Sequence, residues 1–161
     1  MKTACLTAAK TIELREAPRP RAPMDGLVLK MEACGVCGSD LRRWLEGPAP
    51  GTYVIQGHEL AGTVVETGPE VKGFKIGDRV AAAPDIHCGQ CWYCRRGKFN
   101  LCTDLRLLGI TVGYDGGFAE HVCLSNEVLT AFSIFDAISC ALGPNLLILP
   151  NSFQTSSFIL L

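Results

Sequence analysis

The chain has 161 residues, 48% of them hydrophobic and 19% charged, with 15 basic and 16 acidic side chains for a net charge of −1. That length suits one compact domain with or without a tail, and the composition supports a packed core rather than global disorder. The balanced charge offers nothing to draw in a polyanion, so nucleic acid is excluded as an expected partner.

In chain order, Thr11–Glu16 is predicted as a strand, and the three prolines of APRPRAP as an extended surface connection. LVLKMEAC alternates, with Leu27, Leu29, Met31 and Ala33 on one face and Lys30 and Glu32 on the other, which predicts a half-buried strand. Ser39 or Asp40 is placed to N-cap a short helix over 41–46, which Gly47-Pro48 ends. LAGTVVETG and DRVAAA read as strands with turn glycines at 68, 73 and 77, and GGFAEHVCL (116–124) as another. The expected fold is therefore mainly β with short helices, barrel-like and punctuated by 17 glycines. From Val128 to Leu161 the only charged residue is Asp136, and no clear period remains. Asp136, Pro144, Asn145, Pro150 and Asn151 interrupt every window long enough to span a bilayer, so no membrane association is expected. No G-x-G-x-x-G or Walker run occurs anywhere in the chain.

Nine cysteines cannot form a fully paired disulfide set. The opening MKTACLTAAKTIELRE is too polar, and its apolar stretch too short, for a secretory signal. Both features point to a reducing, cytoplasmic setting in which thiolates are available for metal. Cys88, Cys91, Cys94 and Cys102 follow C-x2-C-x2-C-x7-C. Clustered thiolates repel one another unless a cation neutralises them, and Zn²⁺ takes four sulfurs tetrahedrally. Such a closed site has no open position and is expected to be structural; Arg95, Arg96 and Lys98 partly offset its negative charge. Unliganded cysteines or an iron–sulfur cluster are the alternatives, although the spacing differs from ferredoxin runs.

Cys37, His58 and Glu59 form a second, mixed set of thiolate, imidazole and carboxylate. Such a set can hold zinc and still leave room for water or a substrate oxygen. Asp40 is placed to accept a hydrogen bond from the far nitrogen of His58, and the Ser39 hydroxyl to carry a proton away from a bound alcohol. A histidine beside a glutamate is more often an ordinary pair than a metal site, and Cys34 with Cys37 also reads as a C-x-x-C redox pair.

The order of motifs supplies what spacing alone does not. CGVCGSD, then GHE-x2-G-x5-G-x2-V (Gly57, His58, Glu59, Gly62, Gly68, Val71), then FKIGDRV, the four-cysteine run and GGFAEHV resemble the medium-chain zinc alcohol dehydrogenases over residues 1–127. GSDLRRW, IQGHE and APDIHCGQCWYCRRG resemble the sorbitol- and threonine-type polyol enzymes in particular. The resemblance implies a GroES-like β-barrel catalytic domain with a structural zinc lobe. It implies Cys37 and His58 as catalytic zinc ligands, with Glu59 as ligand or near neighbour. Ser39 would start a proton relay, Asp40 would support the ligands, and Cys34 would be a packed core thiol. The implied reaction oxidises a secondary alcohol or polyol with hydride transfer to NAD or NADP. The family's nicotinamide-binding Rossmann half has no counterpart here. Residues 128–161, with Cys140 unassigned, are therefore expected to be an atypical tail from truncation or frameshift, and the chain is expected to be inactive alone. The competing reading is a non-catalytic zinc-bearing barrel that joins a partner subunit as a homo- or hetero-oligomer.

Overall fold

The computed structural model describes residues 1–125 and the strand Ser157–Leu160. The rest of the 128–161 segment, Cys140 included, lies outside the described residues. β1 (Lys2–Ala8) and β2 (Thr11–Glu16) form an antiparallel hairpin, in register from Lys2↔Glu16 to Leu6↔Ile12 and shifted before the last pair, Ala8↔Thr11. Lys10 takes the left-handed turn position at φ 60°. β2 is the strand expected at those residues, and it is exposed along its whole length at the sheet edge. On its other side β1 pairs with β4 (Val54–Ile55).

The larger sheet is built around β3 (Leu27–Val36). It pairs antiparallel with β5 (Glu59–Thr67), from Leu27↔Thr67 to Gly35↔Glu59, and β5 in turn pairs with β6 (Arg79–Ala82). The opposite edge of β3 receives β9 (His121–Leu124) against its first half and β10 (Ser157–Leu160) against its second. β7 (Asp85–Ile86) and β8 (Arg106–Leu107) form a small ladder of their own. The mainly-β expectation holds, with α1 (Gly38–Glu46) the one α-helix among the described residues. Among those residues the ladders form three sheets, and no ring of strands closes.

Leu27, Leu29, Met31, Leu60, Val64 and Leu124 make the centre of the core, each less than a tenth exposed. Burying one such side chain stabilises by roughly 1.5–3 kcal/mol. The alternation expected along β3 holds from Leu29 to Glu32, after a start in which Val28 is buried as fully as Leu27 and Leu29, and then changes phase. A register shift between Met31 and Ala33 turns Cys34 into the core, at 1% exposure, in place of Ala33. A bulge adds one residue to one side of a ladder, and every later side chain changes face.

Two further expectations are corrected. The helix starts three residues earlier than its apolar pattern suggests, with Cys37 as its N-cap. Asp40 lies inside the first turn and reaches back, accepting the Cys37 N–H at 2.9 Å on Oδ2, the returning half of a capping box. The strand expected over 116–124 is ordered as a strand only at His121–Leu124, with a single bridge, Thr3↔Ala119, before it. Gly116 and Gly117 instead lie against the 56–57 backbone and Cys34, where a Cβ would overlap its neighbours.

Candidate metal centres

The Gly35↔Glu59 register places the end of β3 beside the start of β5. Cys37 follows β3 by one residue and His58 precedes β5 by one, so the pairing brings both to one corner of the sheet. The ligand atoms of Cys37, His58 and Glu59 all lie within 4.8 Å of one another. Gly35 leaves the space this needs, since a Cβ there would overlap the Glu59 carboxylate. The segment before His58 is held by three backbone bonds, Gly116 N–H to Ile55 O (2.8 Å), Phe118 N–H to Gln56 O (2.9 Å) and Gly117 N–H to Gly57 O (2.6 Å). Gly57, at φ 94°, takes a turn there that a side chain would strain.

Asp40 is buried, 3% exposed, behind this corner. Its Oδ1 stands 3.5 Å from His58 Nδ1, an ion-pair distance rather than a short hydrogen bond. The Asp40 carboxylate is the main reason the imidazole is pushed up to about 9, against the opposing effect of burial and with help from Cys37. Ser39 Oγ lies 3.4 Å from His58 Nε2. The Ser39 hydroxyl and N–H are the main causes that lower the Cys37 thiol, and His58 adds to them. A thiol poised to ionise, a carboxylate and an imidazole form a donor set of the kind that open zinc sites use. A cavity of about 300 Å³, lined by Ser39, Arg42, Arg43, Glu46, Gly47 and Ile110, opens beside it. Cys34 and Cys37 are both free thiols, and Cys34 is turned into the core, its thiol 3.6 Å from the Gly35 carbonyl. That placement does not make the redox pair that C-x-x-C also suggested.

The four-cysteine run occupies the excursion between β7 and β8. Short 3₁₀ turns at Cys94–Arg96 and Phe99–Leu101, and Gly97 at φ 70°, fold it tightly. All four sulfurs lie within 4.8 Å of one another, and Cys88 Sγ is 4.0 Å from Cys94 Sγ. Two thiolates on one tetrahedral zinc stand about 3.8 Å apart, so the spacing suits an ion and is far from a disulfide. Backbone N–H groups of Cys88, Cys91, Cys94 and Asp104 point at the sulfurs of Cys102, Cys88, Cys91 and Cys102, at 3.3–3.4 Å. Those donors lower the Cys91 and Cys102 thiols, while burial and the adjoining sulfurs raise Cys94. Four sulfurs cannot all ionise together without a cation, so the cradle fits a metal. Arg96 is engaged locally, its guanidinium stacked 3.8 Å over Trp92. His87 stacks on Phe99 with ring centroids 4.2 Å apart. His87 and His121 lie outside the two clusters.

The five residues expected at the open site thus converge at one corner, and the four cysteines at another. Sequence reasoning missed Gln56, which is 3% exposed and contacts Asp40. Its signal was an amide inside the otherwise apolar YVIQG, where a polar residue needs a partner.

The alcohol dehydrogenase GroES-like domain family matches residues 23–133, and the chain belongs to that family. Sorbitol dehydrogenase of Bacillus subtilis (strain 168) is 36% identical over 144 residues, covering 86% of this chain and 40% of that protein. L-threonine 3-dehydrogenase of Shewanella sp. (strain ANA-3) is 39% identical over 139 residues, covering 83% and 39%. A Sinorhizobium meliloti 1021 structure, assigned as a zinc-binding dehydrogenase and bound to NADP, superposes with a TM-score of 0.69. It is 41% identical, with 79% of this chain and 36% of that one covered. The chain therefore spans about two-fifths of the length of the relatives it matches. Among the described residues no helix is long and apolar enough to cross a membrane.

Proposed function

We propose that this chain is the catalytic, alcohol-binding part of a zinc-dependent dehydrogenase that oxidises a secondary alcohol or polyol, with NAD or NADP taking the hydride. Cys37, His58 and Glu59 would hold the catalytic ion, and Cys88, Cys91, Cys94 and Cys102 a structural one. The catalytic zinc, when bound, polarises the alcohol oxygen and favours its ionised form. Asp40 holds the Cys37 amide and faces the His58 ring, which keeps both donors oriented. Ser39 Oγ accepts the proton of the substrate hydroxyl and releases its own toward the cavity it lines. That cavity could take a small hydroxylated molecule, and Ser39 is the residue that joins it to the corner. Clusters of reduced cysteines suit a cytoplasmic setting.

The observation that carries this reading is the convergence of Cys37, His58 and Glu59 within 4.8 Å of one another, apart from the closed cysteine cluster. The test is metal content of the reduced full chain. Two zinc ions per chain are expected, one lost in His58→Ala and the other in Cys91→Ala. After cobalt substitution, added imidazole should alter only the absorption that depends on His58, because only that site has an open position. A single ion per chain, indifferent to His58→Ala, would refute the proposal.

A further inference from the structure

A buried primary amide brings two donors and an acceptor into the interior and must find partners for them. Gln56 is such a group, 3% exposed at the end of β4. Its Nε2 donates to the Asp40 backbone carbonyl at 3.3 Å and lies 3.5 Å from Asp40 Oδ1. Asp40 is itself 3% exposed. One of its carboxylate oxygens, Oδ2, accepts the Cys37 N–H, and Oδ1 is shared between Gln56 and His58.

We propose that Gln56 is a positioning residue for the Cys37–His58–Glu59 centre, fixing through Asp40 the orientation of Cys37 and His58 before any metal arrives. The proposal rests on the metal-centre reading above. Gln56 acts at two points of Asp40 together. The carbonyl contact anchors the first turn of α1, and the contact at Oδ1 sets the rotation of the carboxylate. The anchor is rigid, because the Gln56 carbonyl accepts the Phe118 N–H, and the carbonyls of Ile55 and Gly57 are also bonded to the 116–117 backbone. A neutral donor is the suitable partner. It satisfies a buried carboxylate without a second negative charge, and it leaves Asp40 able to face His58. An apolar residue would leave Asp40 short of a donor. A glutamate would set a like charge against it.

The experiment compares the reduced full chain with Gln56→Met, which keeps the volume, and Gln56→Glu, which keeps the shape and removes the donors. The first readout is metal-free: nitrogen–proton correlation spectra of the His58 ring, with Asp40→Asn as the reference for a lost contact. Both Gln56 variants should shift the His58 ring signals toward those of Asp40→Asn. The second readout is zinc and cobalt affinity. Outer-shell partners typically account for roughly 10–100-fold in metal affinity. The His58-dependent ion should weaken by that factor in Gln56→Met and by more in Gln56→Glu, with the cysteine-cluster ion unchanged. His58 signals and affinity like those of the unmodified chain in Gln56→Met would overturn the inference. So would parallel loss of both ions and of β-sheet signal in both variants, which would mark a purely structural role. If the unmodified chain takes no second ion but its His58 signals still respond to Gln56→Met, the Gln56–Asp40–His58 link stands and the metal-centre reading has failed.

Discussion

Cys34 and Cys37 stand three positions apart, and their surroundings drive them in opposite directions. Burial pushes the Cys34 thiol up to about 12, with the Asp40 charge adding to it. Ser39 lowers the Cys37 thiol through its hydroxyl and its N–H, and the adjoining His58 lowers it further. Only the thiolate attacks an alkylating reagent, and a depressed thiol is ionised at lower pH. In metal-free, reduced protein the rate of iodoacetamide labelling at Cys37 should therefore rise with pH about a midpoint below that of an ordinary thiol. At pH near 8, Cys37 should react at least roughly ten-fold faster than Cys34, since each unit between two thiols is a factor of ten in thiolate. Peptide mass spectrometry reads both sites separately, and added zinc should suppress labelling at Cys37. Equal rates at the two positions would remove the basis for treating Cys37 as the poised ligand. Part of this difference is legible in the sequence. The motif CGVCGSD marks Cys37 as the ligand by resemblance. That Cys34 faces inward depends on a bulge, which nothing in the local alternation announces.

At the scale of elements, the antiparallel pairing of β3 with β5 does most to assemble the open site, and glycines set how closely its parts approach. Two of them differ in what they face. A Cβ at Gly35 would overlap the Glu59 carboxylate, the far end of a flexible side chain. A Cβ at Gly62 would overlap the Lys30 carbonyl, which belongs to the backbone of β3 and cannot swing away. Gly62→Ala should therefore destabilise the fold by about 1–3 kcal/mol, the usual range for overpacking. Gly35→Ala should spare stability and displace Glu59, weakening the His58-dependent metal. Chemical denaturation paired with zinc titration separates the two. Unfolding in Gly35→Ala with an intact Gly62→Ala would overturn both assignments. Alternation located the strand in LVLKMEAC, because a half-buried strand alternates, whereas Thr11–Glu16 is exposed throughout and shows no such pattern of burial. Alternation overran at GGFAEHVCL because it cannot report that Gly116 and Gly117 are drawn against the backbone of 56–57. It also started the helix late. The first turn is set by Asp40 reaching back to the Cys37 N–H rather than by any apolar residue.

At the scale of the whole molecule, the described chain combines a β core that holds itself together with a cysteine excursion that does not. The core has a continuous set of buried aliphatic side chains drawn from β3, β5, β6 and β9. In the excursion between β7 and β8, Trp92, Phe99 and Leu101 are exposed, and among its residues only Cys94 and Cys102 are buried hydrophobic groups. Its tight shape depends on N–H groups aimed at sulfur and on the ion those sulfurs fit. The spacing of the four cysteines made this part the most legible of all, because metal ligation demands a pattern that packing does not. This dependence on the ion sets how the molecule comes apart. Metal binding by such clusters is worth roughly 10–16 kcal/mol in small peptides, and regions without a core open locally before the rest. Chelation of the reduced protein should therefore release the excursion while the sheets persist. Hydrogen exchange should quicken at the amides of Cys88, Cys91, Cys94 and Asp104, whose acceptors are the ligand sulfurs. The amides of Leu29 and Met31 in β3 should keep their protection, and far-UV circular dichroism should change little. Uniform loss of protection across β3 and the excursion would show instead that the metal stabilises the molecule as a single cooperative unit.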